Sequence, residues 1–176
     1  MNIFFLDKEP ETCAQYHCDK HVVKMILETA QLLCTAHRVI DGKQWIDQSS
    51  GRRIKRWKLN GKMEDMLYKA THINHPSAVW ARESDANYMW LYELFIHLSL
   101  EYTHRYGKNH LTTAKLSILL SQPPKNIFKG PMTKMPQAMP DYCKDDDSVT
   151  AYRNYYINEK QRMLKYTNRE MPQWMK

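Results

Sequence analysis

One stretch of sequence constrains the fold more than any other, because it predicts a single long helix. It runs from Glu11 to Ile40, with Pro10 before it and Asp41-Gly42 after it. Proline favours the first turn of a helix and glycine favours its end. Placed at 100° per residue, apolar side chains cover most of the helix circumference, which is typical of a buried helix. We therefore predict that this helix lies at the centre of the fold.

The same helix carries one narrow stripe of polar side chains. Six residues recur every three or four positions and fall within about 40° of one line: His17, His21, Lys24, Glu28, Gln31 and Thr35. A solvent-facing helix usually has a wider polar face, so we favour the interpretation that this stripe lines a cleft over a simple solvent face. Ionisable groups in a cleft are candidates for acid–base chemistry.

The rest of the chain also shows helical periodicity rather than alternation. Further helices are predicted at residues 63–70, from Ser84 to Tyr106 with Gly107 closing it, after Thr112 or Thr113, and from Asp147 or Ser148 to about Lys165. A basic loop at about 42–59 and a proline-rich connector at about 123–140 join them. The predicted fold class is therefore all-α: a compact single domain, residues 1–176, around one long N-terminal helix.

Positive charge points to a polyanionic partner. The chain has 26 Lys and Arg against 19 Asp and Glu, a net charge of +7, and such a balance favours nucleic acid. The segment Gly51–Lys58 places five cations beside a tryptophan, which suits phosphate contact combined with stacking. We expect DNA contacts from this segment and from the end of the long helix: His37, Arg38, Arg52, Arg53, Lys55, Arg56, Trp57 and Lys58.

Cysteine usage and hydropathy predict an intracellular protein. Four unevenly spaced cysteines do not form the disulfide framework of a small secreted domain, so we expect reduced thiols. No run of 18 apolar residues occurs, and the first residues lack the pattern of a signal peptide. We therefore expect a cytoplasmic protein without membrane contact.

A metal site is an alternative use of the polar stripe. His17 and His21 are one helical turn apart, and Cys13, Cys18 and Asp19 are close in sequence. The segment lacks the intervening glutamate of a zinc protease, and the chain has no pair of cysteines separated by two residues. We therefore predict no metal and no other cofactor.

The amino terminus is a second candidate for chemistry. The bulky Asn2 disfavours removal of Met1, which would then carry a free α-amine. An α-amine is partly neutral near physiological pH and can form a Schiff base with a carbonyl or with a sugar C1′.

Several segments, taken in order, carry a resemblance to a known family. They are Met1-Asn2-Ile3, Asp19-Lys20-His21 with Glu28 seven residues after the histidine, the basic segment Gly51–Lys58, the stretch Glu101–Gly107, Met135-Pro136-Gln137 and Pro172-Gln173-Trp174. Together they cover most of the chain, with insertions. The sequence resembles the phage pyrimidine-dimer DNA glycosylase/AP lyase family, of the endonuclease V type. That resemblance implies a basic, compact all-α domain, in the host cytoplasm if phage-encoded.

The resemblance also implies catalytic roles. The Met1 amine would attack C1′ of a deoxynucleotide, and Glu28 would stabilise positive charge and move sugar protons. His21 would orient Glu28 or contact a phosphate. Lys24 would keep Glu28 ionised or would itself form the Schiff base. We expect an enzyme, a DNA N-glycosylase with AP lyase activity, that acts as a monomer on damaged or modified duplex DNA and flips or bends it. Further DNA contacts are expected from Asn2, His17, Gln31 and Trp174.

The chain departs from that family at positions that grip DNA. Leu27 and Gln31 stand where the family has arginines, and Asn2 stands where it has a basic residue. The lesion or base is therefore left open. Two other hypotheses remain: another phage enzyme that modifies DNA bases or acts on nucleotides on the same scaffold, and a non-catalytic basic helical module that binds nucleic acid or a protein.

Overall fold

The computed structural model describes residues 1–176 and is mostly helical. Its α-helices are α1 (Pro10–Tyr16), α2 (Asp19–Asp41), α3 (Lys62–Met66), α4 (Pro76–Trp80), α5 (Asp85–Tyr106), α6 (Leu111–Leu116) and α7 (Ser148–Glu159). Its two strands are β1 (Lys43–Asp47) and β2 (Ile54–Lys58), and three short 3₁₀ turns lie at Asp141–Cys143, Gln161–Met163 and Gln173–Met175. The all-α prediction is therefore met in part, because the chain also forms a small sheet. No helix has the length and apolar character needed to span a membrane.

The predicted long helix is two helices, α1 and α2, with a break at His17 and Cys18. Both residues have extended backbone angles. The ring Nδ1–H of His17 donates to the carbonyl oxygen of Cys13 at 2.7 Å, which is the acceptor that a continuing helix would offer to the His17 N–H. The N–H of Asp19 donates instead to the carbonyl of Lys165. The side chain of one buried histidine thus ends α1, and the C-terminal segment covers the start of α2.

The core forms where α2 packs against α5 and α6, while α1 packs on α5. Helix α2 contributes fully buried aliphatic residues on most of its circumference, as its sequence predicts: Val22, Met25, Ile26, Leu32 and Leu33. Large aromatic side chains fill the space between the helices: Trp80, Tyr88, Phe95, Tyr152 and Tyr156. These rings come from α4, α5 and α7, so the second half of the chain closes the core that α2 begins.

The predicted basic loop is a β-hairpin rather than a loop. Strands β1 and β2 pair antiparallel, with Lys43 opposite Lys58 and Asp47 opposite Ile54. The chain turns through residues 48–53, where Gly51 has φ +74°, a conformation that glycine adopts without strain. The basic residues therefore lie on a defined two-stranded element that begins where α2 ends.

The sequence signals for helix ends predict some of the observed helix ends and not others. Ser84 caps α5 by accepting from the Asn87 N–H, and Gly107 closes that helix in the left-handed conformation; both predictions are confirmed. Asp147 caps α7, also as expected, but α7 ends at Glu159 rather than near Lys165. Helix α3 is shorter than predicted, and His110 rather than a threonine caps α6. No helix or strand lies between α6 and residue 141, as the proline-rich connector suggests.

A buried ion-pair network joins the C-terminal segment to the helices. Arg105 is 3% exposed and bonds to Asp19 at 2.9 Å and to Glu101 at 2.7 Å. Asp19 also accepts from Thr167, and Glu101 accepts from Arg169. These bonds hold the pKa of Asp19 and of Glu101 below the usual values, against the effect of burial. The network fixes the junction between α1 and α2, on which the polar stripe depends.

Candidate active site

The structure brings the amino terminus to Glu28 on α2. The Met1 amine nitrogen lies 4.0 Å from Glu28 Oε2, and the next backbone N–H, that of Asn2, points to the same oxygen at 3.3 Å. The Met1 side chain is 3% exposed and packs against the core, although the residue as a whole is partly exposed. Its exposed part is therefore the backbone, which carries the amine. The Glu28 side chain is 14% exposed, so the pair borders solvent.

The side chain of Asn2 holds the amino-terminal segment in this position. Its Nδ2 donates to the carbonyl of Ala138 at 2.9 Å, and its Oδ1 accepts from the Ile3 N–H and lies 2.9 Å from the Tyr152 hydroxyl. That hydroxyl is also 2.8 Å from the carbonyl of Pro136. Asn2 is therefore a positioning residue with its polar atoms in use, and the contact with DNA predicted for it does not fit its burial. Segments far apart in sequence meet here, including the Met135-Pro136-Gln137 stretch.

His21 supports the site through Phe4 rather than by touching Glu28. Its ring stacks on Phe4 with centroids 4.2 Å apart, and its Nδ1 lies 2.5 Å from the Tyr156 hydroxyl. Phe4 has φ +54°, an uncommon conformation for a bulky residue, so its neighbours must hold it there. Burial, with smaller effects from nearby positive groups, lowers the pKa of His21 to about 3, and His21 is neutral at physiological pH. No hydrogen bond joins His21 to Glu28, so the predicted orienting contact is absent.

Lys24 is the cation nearest to Glu28 on α2. Its Nζ lies 3.2 Å from Glu28 Oε1, one helical turn away, and its side chain is 60% exposed. Ion pairs one turn apart on a helix contribute only about 0.3–0.5 kcal/mol to stability. Their charges still act on a bound ligand, so Lys24 places a positive group at the edge of the amine–glutamate pair.

Sequence reasoning did not assign His75 to the site, although the charges of this pair act on its imidazole. Thr35, on the same stripe of α2 as Glu28, bonds through its hydroxyl to the backbone of Thr71, so the chain leading to α4 runs beside the stripe. Burial lowers the pKa of His75, and the positive charge of the Met1 amine lowers it further, while Glu28 acts in the opposite direction. The Nδ1 of His75 accepts from the Ser77 N–H and caps α4. The His75-Pro76 pair signals that cap in the sequence. No local sequence pattern reveals that the charge of the Met1 amine acts on His75.

His17 lies inside the protein and not on a cleft. It is fully buried, and with Nδ1–H bonded to Cys13 its other ring nitrogen, Nε2, has no partner. Burial lowers the pKa of His17 to about 4. No group of three or more His, Cys, Asp or Glu side chains is arranged to hold a metal ion, and all four cysteines are free and buried. The DNA contact predicted for His17 does not fit this position.

Two other predicted DNA contacts are structural residues. All five N–H groups of Arg38 are used: by the carbonyls of Trp57, Glu64, Leu67 and Tyr68, and by the Glu64 carboxylate at 2.7 Å. His37 is 5% exposed and bonds through Nε2 to the Tyr88 hydroxyl at 2.9 Å. Neither side chain reaches solvent, so neither is placed to bind a phosphate.

The remaining predicted contacts are at the surface. Arg52, Arg53, Lys55 and Lys58 are exposed on the hairpin, whereas Arg56 and Trp57 are partly exposed. Gln31 is partly exposed on the stripe, without a hydrogen bond. Trp174 is partly exposed but packs on Tyr16, Tyr156 and Arg153, with no bond to its indole nitrogen. The structure thus brings Met1 and Lys24 to Glu28 in the middle of the stripe, and it places five unpaired cations on the hairpin.

Comparisons with protein families, curated proteins and solved structures found no match to this chain.

Proposed function

We propose that the protein is a DNA glycosylase with AP lyase activity, or an AP lyase alone, and that it works through the Met1 α-amine. The observation that carries this proposal is the 4.0 Å separation between that amine and the Glu28 carboxylate, at a place that borders solvent. A primary amine beside a carboxylate supplies both a nucleophile and a base, and imine chemistry on a sugar needs both. Met1 must be the first residue of the mature protein, which an intact-mass measurement checks.

The chemistry proceeds in three steps. The neutral amine attacks C1′ of a deoxyribose. In an intact nucleotide the base leaves with its bonding electrons and takes a proton from the attacking nitrogen, and the C1′–O4′ bond then breaks while the ring oxygen takes a proton from solvent; in an open abasic aldehyde the carbonyl oxygen leaves as water. Both routes give a protonated imine. Glu28 then removes a proton from C2′. The electrons move to break the C3′–O bond, and the 3′ phosphate leaves with its oxygen. The Glu28 carboxylate also stabilises the positive charge on the imine nitrogen that precedes this elimination.

The neighbours of the pair suit a DNA strand as substrate. Lys24 lies at the edge of Glu28, and Val23 and Leu27 on the same helix are 40% and 39% exposed. Apolar side chains at that edge favour contact with sugar or base over a grip on phosphates. Leu27 stands where the resembled family has an arginine, so we propose a lesion or modified base other than the pyrimidine dimer. The net charge of +7 supports a polyanionic partner.

Borohydride trapping tests this proposal. The purified protein is incubated with duplex DNA that carries one abasic site, and separately with undamaged duplex, in the presence of borohydride. We expect a covalent adduct on the abasic duplex and none on the undamaged one, together with strand cleavage when borohydride is omitted. Folded protein that binds DNA but gives neither adduct nor cleavage would favour a non-catalytic DNA-binding module instead.

A further inference from the structure

The β1–β2 hairpin presents a dense positive charge. From residue 43 to 58 it carries six cations, Lys43, Arg52, Arg53, Lys55, Arg56 and Lys58, and one carboxylate, that of Asp47. Asp47 is engaged by Arg56 at 3.3 Å and by the hydroxyl of Ser49. The other five cations form no ion pair and no hydrogen bond within the protein. A surface with this much uncompensated charge fits a polyanion.

Aromatic and apolar side chains stand among those charges. Trp45 is 49% exposed and Ile46 is 37% exposed, so both side chains are accessible to a partner that contacts the charges. Trp45 pairs across the strands with Arg56, and Ile46 pairs with Lys55. An indole set between cations matches a nucleic-acid strand, where phosphates and the faces of sugars and bases alternate.

The hairpin is held firmly on the end of α2. Arg38 donates to the carbonyl of Trp57 on β2 and ties it to the carbonyls of residues 64–68. Gly42, between α2 and β1, packs so closely that a Cβ atom there would lie 2.3 Å from the Arg38 carbonyl oxygen. The hairpin therefore keeps a fixed position relative to α2 and to Glu28 on that helix.

Helix α2 sets the spacing between the hairpin and the amine–glutamate pair. Thirteen residues separate Glu28 from Asp41, which corresponds to about 20 Å along the axis. That length equals roughly six base pairs of B-DNA. We propose that the duplex lies along α2 and that the hairpin is a second DNA-binding site, whose base meets the duplex about six base pairs from the reacting nucleotide, with Trp45 as its aromatic contact. This inference rests on the proposed function in taking duplex DNA as the partner and Glu28 as the reacting centre.

Charge-matched variants test the binding. The triple variant R52A/R53A/K55A removes three exposed hairpin cations, and the control K108A/R162A/K165A removes three exposed cations elsewhere, none of which forms a side-chain bond. We expect the hairpin variant to lose at least tenfold in affinity for a 30-base-pair duplex near 0.15 M salt, and its salt slope to fall by about two to three. The control should lose less than threefold. Equal losses in the two variants would overturn the proposal.

The variant W45A tests whether the hairpin makes a specific aromatic contact with DNA or binds it through charge alone. We expect W45A to weaken duplex binding at least fivefold, and duplex addition to quench tryptophan fluorescence less in W45A than in the wild type. Polyglutamate serves as a polyanion without bases or sugars. We expect W45A to leave polyglutamate binding unchanged. If W45A weakens polyglutamate binding as much as it weakens duplex binding, the hairpin binds acidic protein rather than DNA, and the DNA proposal is overturned.

Duplex length tests the spacing. Duplexes carrying a stable abasic analogue are made with ten base pairs on one side of it and four on the other, in both orientations. Shortening the side of the duplex that reaches the hairpin should weaken binding by the same factor as R52A/R53A/K55A. Shortening the opposite side should have little effect, because that side does not reach the hairpin. Equal effects of the two sides in the wild type would contradict the six-base-pair spacing.

These binding measurements are independent of the lyase reaction. If hairpin variants weaken binding as expected but no borohydride adduct forms with any protein, the proposed function fails and the second DNA site stands. If an adduct forms and the hairpin variants bind like the wild type, the second site fails and the lyase stands.

Discussion

The Met1 amine and the Glu28 carboxylate, far apart in the chain, lie 4.0 Å apart in the fold. Three features produce this contact. The Met1 side chain is buried, the Asn2 side chain bonds to the connector, and Phe4 is stacked on His21. These contacts fix the amine beside the carboxylate, and catalysis by a nucleophile requires such a fixed position.

Replacement of Glu28 by glutamine should separate binding from chemistry. E28Q keeps an oxygen that can accept from the Asn2 N–H but loses the base, so we expect strand cleavage at an abasic site to fall at least about 100-fold. Affinity for the same duplex should change by less than about threefold. E93Q removes an exposed, unpaired carboxylate on α5 and should cleave like the wild type. Cleavage by E28Q at the E93Q rate would remove Glu28 from the mechanism.

Acetylation of the Met1 amine should raise the pKa of His75. The amine charge lowers that pKa, and acetylation removes the charge, so the imidazole should hold its proton to higher pH. Titration of the histidine ring protons by NMR measures the change. His104, an exposed residue that bonds to the Asn168 carbonyl, is the internal control and should not shift. An unchanged pKa of His75 would show that the amine is not near it.

Acid should destabilise the protein through His17 and His21. Burial lowers their pKa values to about 4 and about 3 from an ordinary value of 6.5. The unfolded chain therefore binds more protons, and the free energy of unfolding should fall as pH drops from about 6.5 towards 4. Each histidine contributes at most about 1.4 kcal/mol per pH unit in that range.

Urea unfolding at several pH values measures this dependence. The variant H21F keeps a ring to stack on Phe4 but cannot titrate, and it should show a shallower fall than the wild type, on top of a loss from the unpaired Tyr156 hydroxyl of about 1–3 kcal/mol. A slope between pH 6.5 and 4 equal to that of the wild type would contradict a titrating role for His21.

Arg38 should be essential for stability rather than for direct DNA contact. The variant R38M leaves four carbonyl oxygens and the Glu64 carboxylate without their donor, and we expect a loss on the order of 3 kcal/mol in the free energy of unfolding. R52M, at an exposed hairpin cation, should stay within about 0.5 kcal/mol of the wild type. Wild-type stability in R38M would show that these bonds are not needed.

Local sequence signals predict much of the helical part of the fold. The apolar circumference of residues 19–41 gives α2, and Ser84 and Gly107 mark the ends of α5, because each acts through neighbours in sequence. The break at His17 is invisible locally, since it depends on a ring nitrogen that takes a backbone acceptor and on the distant carbonyl of Lys165. The hairpin is masked by its charges, which hide the alternation in β1 and β2.

Some residues of the candidate site could also be predicted from the sequence, and others could not. The helical spacing places Glu28 on the stripe with five other polar residues, the free α-amine makes Met1 a candidate, and the family resemblance gives both a catalytic role. None of these signals could show that Asn2 and Arg38 turn inward. Polar and cationic residues are usually exposed, so burial with every donor satisfied is a property of the complete fold. The effect of the Met1 charge on His75 likewise depends on the path of the chain between α3 and α4.

The most direct measurement is the position of the borohydride adduct within the chain. After trapping on an abasic duplex, the protein is digested and the cross-linked peptide is sequenced by mass spectrometry. We expect the adduct on the α-amine of Met1, with an adduct of the same yield in K24Q, which removes the only other primary amine that contacts Glu28. An adduct on Lys24 or another lysine, or none in folded protein, would contradict the role of the Met1 amine.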